Sequence, residues 1–197
     1  MAKVLVACEF SATVRDCFAA KGHDAWSCDL LPSERNGNHI QGDVLDILGD
    51  GWDLMVAHPP CTFLTIAANK WMNHPRYPNR AQDRERAIQF FMTLYDAPIP
   101  RVVIENPIGV MSTRFRKPDC VIQPWMFGHG ETKATCLWLR GLPPLVPTHL
   151  NEGDLITDAA PAEREQRLHY LPPSPDRWKE RSRTFPGIAQ ALADQYG

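Results

Sequence analysis

The chain has 197 residues, 44% of them hydrophobic and 22% charged, with a formal net charge of −2. That length suits a single domain over residues 1–197 with a full core, and so small a charge excludes the dense positive surface that grips long duplexes by counterion release. No apolar run reaches the ~20 residues that span a bilayer, and "MAKVLVACEF" lacks the apolar stretch and cleavage site of a signal peptide, so a cytoplasmic protein without membrane contact is expected.

Six cysteines (Cys8, Cys17, Cys28, Cys61, Cys120, Cys136) are scattered without a C-x-x-C pair, which predicts free thiols and no metal. The 18 prolines, nearly double the usual share, punctuate the loops.

Taken in order, "KVLVAC" (3–8) predicts a fully buried strand. "SATVRDCFAAKG" predicts a helix with Ser11 as N-cap, Val14, Cys17 and Phe18 on one face, and Gly22 at its end. "DAWSCDLL" reads as a second strand, "HIQGDVLDIL" as a short strand leading into a helical turn, and "WDLMVA" as a fourth strand. From Arg80 to about Asp96 the chain predicts an amphipathic helix with Ala87, Phe90, Phe91 and Leu94 on one side, followed by a fifth strand, "RVVIENP" (101–107). "CVIQPW" and "TCLWLRGL" look like an antiparallel edge pair. The proline-rich stretch from Pro143 to Pro175 reads as an extended loop, and "FPGIAQALADQYG" as a short helix that packs through Ile188, Leu192 and Tyr196. Strands alternating with helices predict an α/β fold with a mostly parallel, doubly wound sheet and an antiparallel edge.

Each of the five strands ends in a polar or proline-rich corner: "CEFS", "CDLLP", "GDV", "HPPC" and "ENP". In open α/β sheets ligands sit outside the carboxyl ends of strands, so these corners define a candidate rim. Cys61 stands there behind Pro59 and Pro60, whose fixed φ aims the next side chain; alone it would read as a small buried hydrophobe. Glu105 ends a buried strand in "IENP", where a carboxylate needs a partner, a raised pKa or a ligand. A thiol and a proton donor in one space suit covalent addition to an electrophile that is protonated as it is attacked. Asp29 and Asp43, ending the second and third strands, suit a nucleotide-like cofactor as partners for ribose hydroxyls and an adenine amino group, though such residues also serve as caps; Phe10 offers a ring face. The basic runs "RFRKP" (114–118) and "RWKERSR" (177–183) read as solvated faces rather than phosphate contacts.

The ordered series "ACEFSATVRDCF", "SCDLLP", "QGDVLDI", "AHPPCTFLT" and "VIENPIGV", over roughly residues 3–140, resembles the S-adenosylmethionine-dependent cytosine C5-methyltransferases, most closely short, phage-type members. The resemblance implies a Rossmann-like methyltransferase fold with S-adenosylmethionine as cofactor. It implies that Cys61 adds to C6 of cytosine while Glu105, its pKa raised by burial, supports N3. It places Glu9, Phe10, Ser11, Asp29, Leu30, Asp43, Val44 and Pro59 at the cofactor, Asn106 at the substrate side where it orients the loops, and Lys133 near the target base. Amino-group methyltransferases place an aromatic residue where this chain has Cys61, which favours carbon as the methylated atom.

The chain departs from that family in three places. Ala12 stands where a glycine is expected, only about 45 residues separate "TCLWL" from the final helix where a target-recognition region belongs, and the last motif is loosely matched. Flipping a base from a duplex costs a few kcal/mol, repaid by groove and phosphate contacts that this short stretch offers few means of making. Cytosine in DNA, reached through a basic loop, a partner chain or a second copy, is the leading substrate expectation. The alternative is a free cytosine nucleotide such as dCMP. A non-catalytic nucleotide- or nucleic-acid-binding protein is the third reading, disfavoured by the joint presence of Cys61 and Glu105.

Overall fold

A computed structural model describes residues 1–149 and 166–197. Its strands are β1 (Lys3–Ala7), β2 (Asp24–Asp29), β3 (His39–Gln41), β4 (Leu54–Ala57), β5 (Arg101–Pro107), β6 (Cys120–Ile122) and β7 (Thr135–Arg140). They form one seven-stranded sheet in the order β3-β2-β1-β4-β5-β7-β6. The first five run parallel, and β7 is antiparallel to both β5 and β6. The fold is Rossmann-like, as the alternation of strands and helices predicts, and β7 and the three-residue β6 form the expected antiparallel edge pair, with β6 outermost.

Parallel strands buried on both faces should read as continuous apolar runs, and "KVLVA" and "LMVA" do. Successive side chains point to opposite faces. Val4 and Val6 therefore pack with α1 (Thr13–Ala20) through Val14 and Phe18 and with the C-terminal helix through Leu192 and Tyr196; Leu5 and Ala7 pack with Phe91 and Leu94 of α2 (Arg80–Tyr95) and with Trp138 of β7. Three short α-helices, α3 (Met111–Arg114), α4 (Arg167–Tyr170) and α5 (Arg177–Ser182), precede the C-terminal helix α6 (Pro186–Tyr196), and 3-10 turns occupy Val44–Ile47, Ile66–Trp71 and Pro124–Phe127.

Two expectations are corrected. Ser11 is not the N-cap of α1: Ala12 holds that position at φ 61°, and the capping oxygens come from Glu9, which accepts from Val14 N at 2.7 Å and Arg15 N at 3.2 Å. A buried carboxylate aimed at free helix N–H groups supplies charge as well as acceptors, so it displaces a hydroxyl. The stretch 143–175, of which 150–165 lie outside the described residues, is not wholly extended: α4 forms because Leu168 finds a place in the core.

Between β1 and β4 the strand order reverses, β2 and β3 lying to one side and β5 to the other. Such a switch point opens a crevice at the carboxyl ends of the two strands that flank it.

Candidate active site

A cleft of about 410 Å³ opens at that switch point. Cys8 follows β1, Asp29 and Leu30 end β2, Asp43 and Val44 follow β3, and Pro60 follows β4; all six line it, with Phe63 and Phe90 from the α2 side. Asp29 Oδ1 accepts from Leu31 N at 2.9 Å and Asp43 Oδ1 from Leu45 N at 3.0 Å, so each acid spends one oxygen on its turn and still borders the cleft. Burial raises the pKa of Asp29, with the Leu31 amide opposing. The two acids make the cleft electronegative: burial first and then Asp29 and Asp43 push the thiols of Cys8 and Cys28 up, Cys28 to about 11. A shallow hollow beside Ile88, Met92 and Pro98 lies toward the amino end of β5 and holds none of these residues.

The remaining residues expected at the cofactor lie around this cleft rather than on its walls. Glu9 and Ser11 are buried at the start of α1, where Ser11 Oγ donates to Glu9 Oε1 at 3.3 Å. Phe10 is buried too, its ring 5.9 Å from that of Trp178 and 5.9 Å from the Arg183 guanidinium. Arg183 forms a bidentate ion pair with Glu34 of the β2–β3 loop, whose amide donates to the Phe10 carbonyl at 2.9 Å, so α5 and the residue after it are clasped over the β1–α1 and β2–β3 loops together. Arg15, buried beneath, holds the other side of that loop pair by donating to the carbonyls of Asn36 at 2.8 Å and Asn38 at 3.4 Å. Within the β1–α1 loop Cys8 (φ 59°) and Ala12 (φ 61°) adopt the left-handed conformation that glycine would take at no cost. The glycine-like turn is therefore present without glycine.

The second corner pair adjoins the cleft. Ala57 of β4 faces Ile104 of β5 in register, so the next residues, His58 and Glu105, emerge side by side, and His58 Nδ1 lies 2.6 Å from Glu105 Oε2. Asn106 Nδ2 donates to the Pro59 carbonyl at 2.8 Å, which fixes the turn that presents Cys61. Beyond Cys61 the two loops are stitched again: Val110 N donates to Leu64 O at 2.8 Å and Ile66 N to Ile108 O at 3.3 Å. Pro59 is thus a buried anchor, and Pro60 rather than Pro59 borders the cleft.

Cys61 is exposed. Neighbouring protein still desolvates its sulfur enough to raise the thiol pKa; the charge of Lys133 opposes that, Glu105 adds to it, and Arg181 opposes it more weakly. Lys133 therefore comes to the site, where its Nζ donates to the Arg181 carbonyl at 3.0 Å. Glu105 departs from expectation. Burial alone would raise its pKa, but the charge and hydrogen bond of His58, helped by Lys133, bring it down to about 2. His58 moves the opposite way: burial would lower it, and Glu105 more than offsets that. The opposite shifts are those of an ion pair, favouring the imidazolium on His58 and the carboxylate on Glu105.

Sequence reasoning missed His58, although it stands one residue past β4, beside Glu105 on β5. It also missed the loop from Thr62 to Arg80, which carries Lys70, Arg76 and Arg80 and no acidic residue. There Lys70 Nζ sits 5.0 Å from the centre of the Trp71 ring, and the Arg80 guanidinium 4.9 Å from Phe63 and 5.5 Å from Tyr77. The two basic runs named from the sequence are largely engaged at home: Arg114 pairs with Glu85 at 2.7 Å, Arg116 with Asp119 at 2.7 Å, and Arg183 with Glu34. Among the described residues no group of three or more His, Cys, Asp or Glu side chains is arranged to hold a metal ion, and no helix is long and apolar enough to cross a membrane.

No protein-family model matches the chain, and no curated protein does. Among solved structures it is similar to a prophage-encoded E. coli protein assigned as a DNA modification methyltransferase, at 12% identity and a TM-score of 0.49 over 77% of this chain and 52% of that one. It is also similar to the S. pombe Dnmt2 methyltransferase, at 14% identity and a TM-score of 0.44 over 91% of this chain and 62% of the other. The chain thus spans between half and two thirds of the length of these structures.

Proposed function

We propose that the protein is an S-adenosylmethionine-dependent methyltransferase acting on C5 of cytosine in DNA. The observation that carries this reading is the junction of two corners: the Cys61 turn and Glu105 leave adjacent parallel strands, tied by Asn106, beside an electronegative cleft at the switch point. The residues fit the cofactor. Asp29 and Asp43 offer acceptors to hydroxyl and amino groups, Leu30, Val44 and Phe63 offer apolar walls, and the negative field favours a sulfonium cation. When bound, S-adenosylmethionine supplies the electrophilic methyl group.

The chain's own residues prepare the base. Cys61 sulfur forms a bond to C6, the C5–C6 π electrons shift through the ring toward N3, and Glu105 holds N3 as that charge develops. Because the resting sulfur is a thiol, its proton passes to solvent at this exposed position as the substrate arrives, with Lys133 and Arg181 favouring the thiolate. Once C5 carries the methyl group, a base removes the C5 proton, the C5–C6 double bond re-forms and the C6–S bond breaks, releasing Cys61. DNA rather than a free nucleotide is favoured by the basic, aromatic loop from Thr62 to Arg80, which continues directly from Cys61.

Incubation with labelled S-adenosylmethionine and, separately, duplex DNA, single-stranded DNA and dCMP tests the reading. Label is expected in DNA; label in dCMP alone would sink the DNA assignment. DNA carrying 5-fluorocytosine should trap a covalent adduct that Cys61→Ala does not form, and an adduct surviving that substitution would remove Cys61 as nucleophile.

A further inference from the structure

Resting on the cytosine reading, we propose that His58 is a positioning residue that supplies, through Glu105, the proton cytosine N3 takes up during attack. The 2.6 Å contact between His58 Nδ1 and Glu105 Oε2 is short even for a charge-assisted pair. Both side chains are largely buried, 11% and 16% exposed. A bare carboxylate facing the N3 lone pair would repel it, so a proton has to lie between them. Among the described residues the other titratable groups whose charges bear on the pair are Glu9, Lys133 and Cys61; Glu9 is engaged by the Val14 and Arg15 amides, and Lys133 is bonded to the Arg181 carbonyl.

The step balances. As Cys61 sulfur bonds to C6 and electron density arrives at N3, Glu105 takes the Nδ1 proton of His58 through Oε2 and the carboxyl group so formed gives up one proton to N3, so that Glu105 ends as the carboxylate it began. The imidazole is left neutral with its remaining hydrogen on Nε2. When the methyl group bonds to C5 and the C4–N3 double bond re-forms, the proton returns by the same route. His58 Nε2 is buried and has no hydrogen-bond partner among the described residues. An imidazolium with one unsatisfied N–H is costly to keep, so Glu105 stabilises the cation while its Nδ1 proton remains transferable. The groups that bear on His58 come from three elements: Glu105 on β5 and Glu9 in the β1–α1 loop favour the cation, and Lys133 ahead of β7 opposes it.

Two measurements test this. His58→Asn keeps an amide N–H close to where Nδ1 lies, so Glu105 stays hydrogen-bonded, but an amide cannot release the proton. Methyl transfer by this variant is expected to lose kcat by about 100-fold with KM nearly unchanged and to lose the wild-type pH profile; wild-type kcat in His58→Asn would overturn the proposal. Independently of turnover, NMR of the labelled His58 ring should show it titrating above 6.5 in the wild type and below 6.5 in Glu105→Gln. A neutral His58 in the wild type at pH 6.5 would overturn the pair even if the variants did not fold. A wild type with the expected titration but no methyl transfer to any cytosine substrate would instead sink the cytosine reading on which the proposal stands.

Discussion

Gly109 lies so close to Leu64 that a Cβ at position 109 would overlap the Leu64 carbonyl oxygen, and this contact seals the β4–α2 loop against the loop after β5. Gly109→Ala must therefore push the Cys61 turn away from Glu105. We expect a loss of about 2 kcal/mol in stability and slower trapping of 5-fluorocytosine. Gly49→Ala, where a Cβ meets nothing within 4 Å, is the control and should leave both unchanged. Equal trapping by the two variants would show that the seal does not set the geometry.

Glu9 is the cap of α1 and not a surface acid. Glu9→Ala leaves the Val14 and Arg15 amides without acceptors inside the protein and should cost about 2 kcal/mol, read as a lowered urea midpoint. Glu9→Gln keeps one acceptor and should cost about half as much. Ser11→Ala, whose hydroxyl supports that carboxylate and otherwise makes only long contacts to Thr13, at 3.2 and 3.4 Å, should cost less than either; the reverse order would return the cap to Ser11.

The His58–Glu105 pair should leave a mark on stability against pH. Glu105 is depressed from 4.5 to about 2, so its contribution is present above 4.5 and fades as pH falls toward 2. His58 is raised above 6.5, so its contribution is complete below 6.5 and fades as pH rises through the folded value. The difference in Tm between wild type and His58→Asn should peak between about pH 4.5 and 6.5. A difference that stays flat from about pH 3 to 9 would mean that no ion pair is lost.

Binding to DNA should depend on salt through the loop after Cys61. If Lys70 and Arg76 meet phosphates, replacing either with alanine should reduce the slope of log K against log salt by about 0.7–0.9 and weaken all sequences alike. Arg114→Ala, whose guanidinium is held by Glu85, should leave the slope unchanged. Equal slopes for all three variants would move the phosphate contacts elsewhere.

What could be read in advance divides by distance along the chain. β1, β4 and β5 are apolar runs buried on both faces, and α1, α2 and α6 have local periodicity, so a short window sufficed for each. Cys61, Glu105, Asp29 and Asp43 could be placed on one rim because each ends a strand. His58 could not, because its partner lies 47 positions away and their meeting depends on the β4–β5 register. Glu9 was hidden for a different reason: two hydroxyl side chains, Ser11 and Thr13, stand nearer the start of α1, and the left-handed turn at Ala12 brings the carboxylate round to α1. The lowered pKa of Glu105 follows from the same unread neighbour, since burial considered without His58 gives the opposite sign.

α6 completes the face that α1 begins: Val14 and Phe18 share their core with Leu192 and Tyr196, and Arg101 Nη1 donates to the Tyr196 carbonyl at 2.7 Å. At a synthesis rate of ~5–20 residues per second, the roughly 165 residues between the two helices take about 10–30 s to appear. During that interval α1 has no lid, and the Phe18 side of the nascent sheet is open to chaperones and to other chains. Ribosome-bound fragments that stop before Pro186 should be cut by protease within α1, while fragments extending past Tyr196 should resist; cleavage of both alike would mean that α1 is protected some other way.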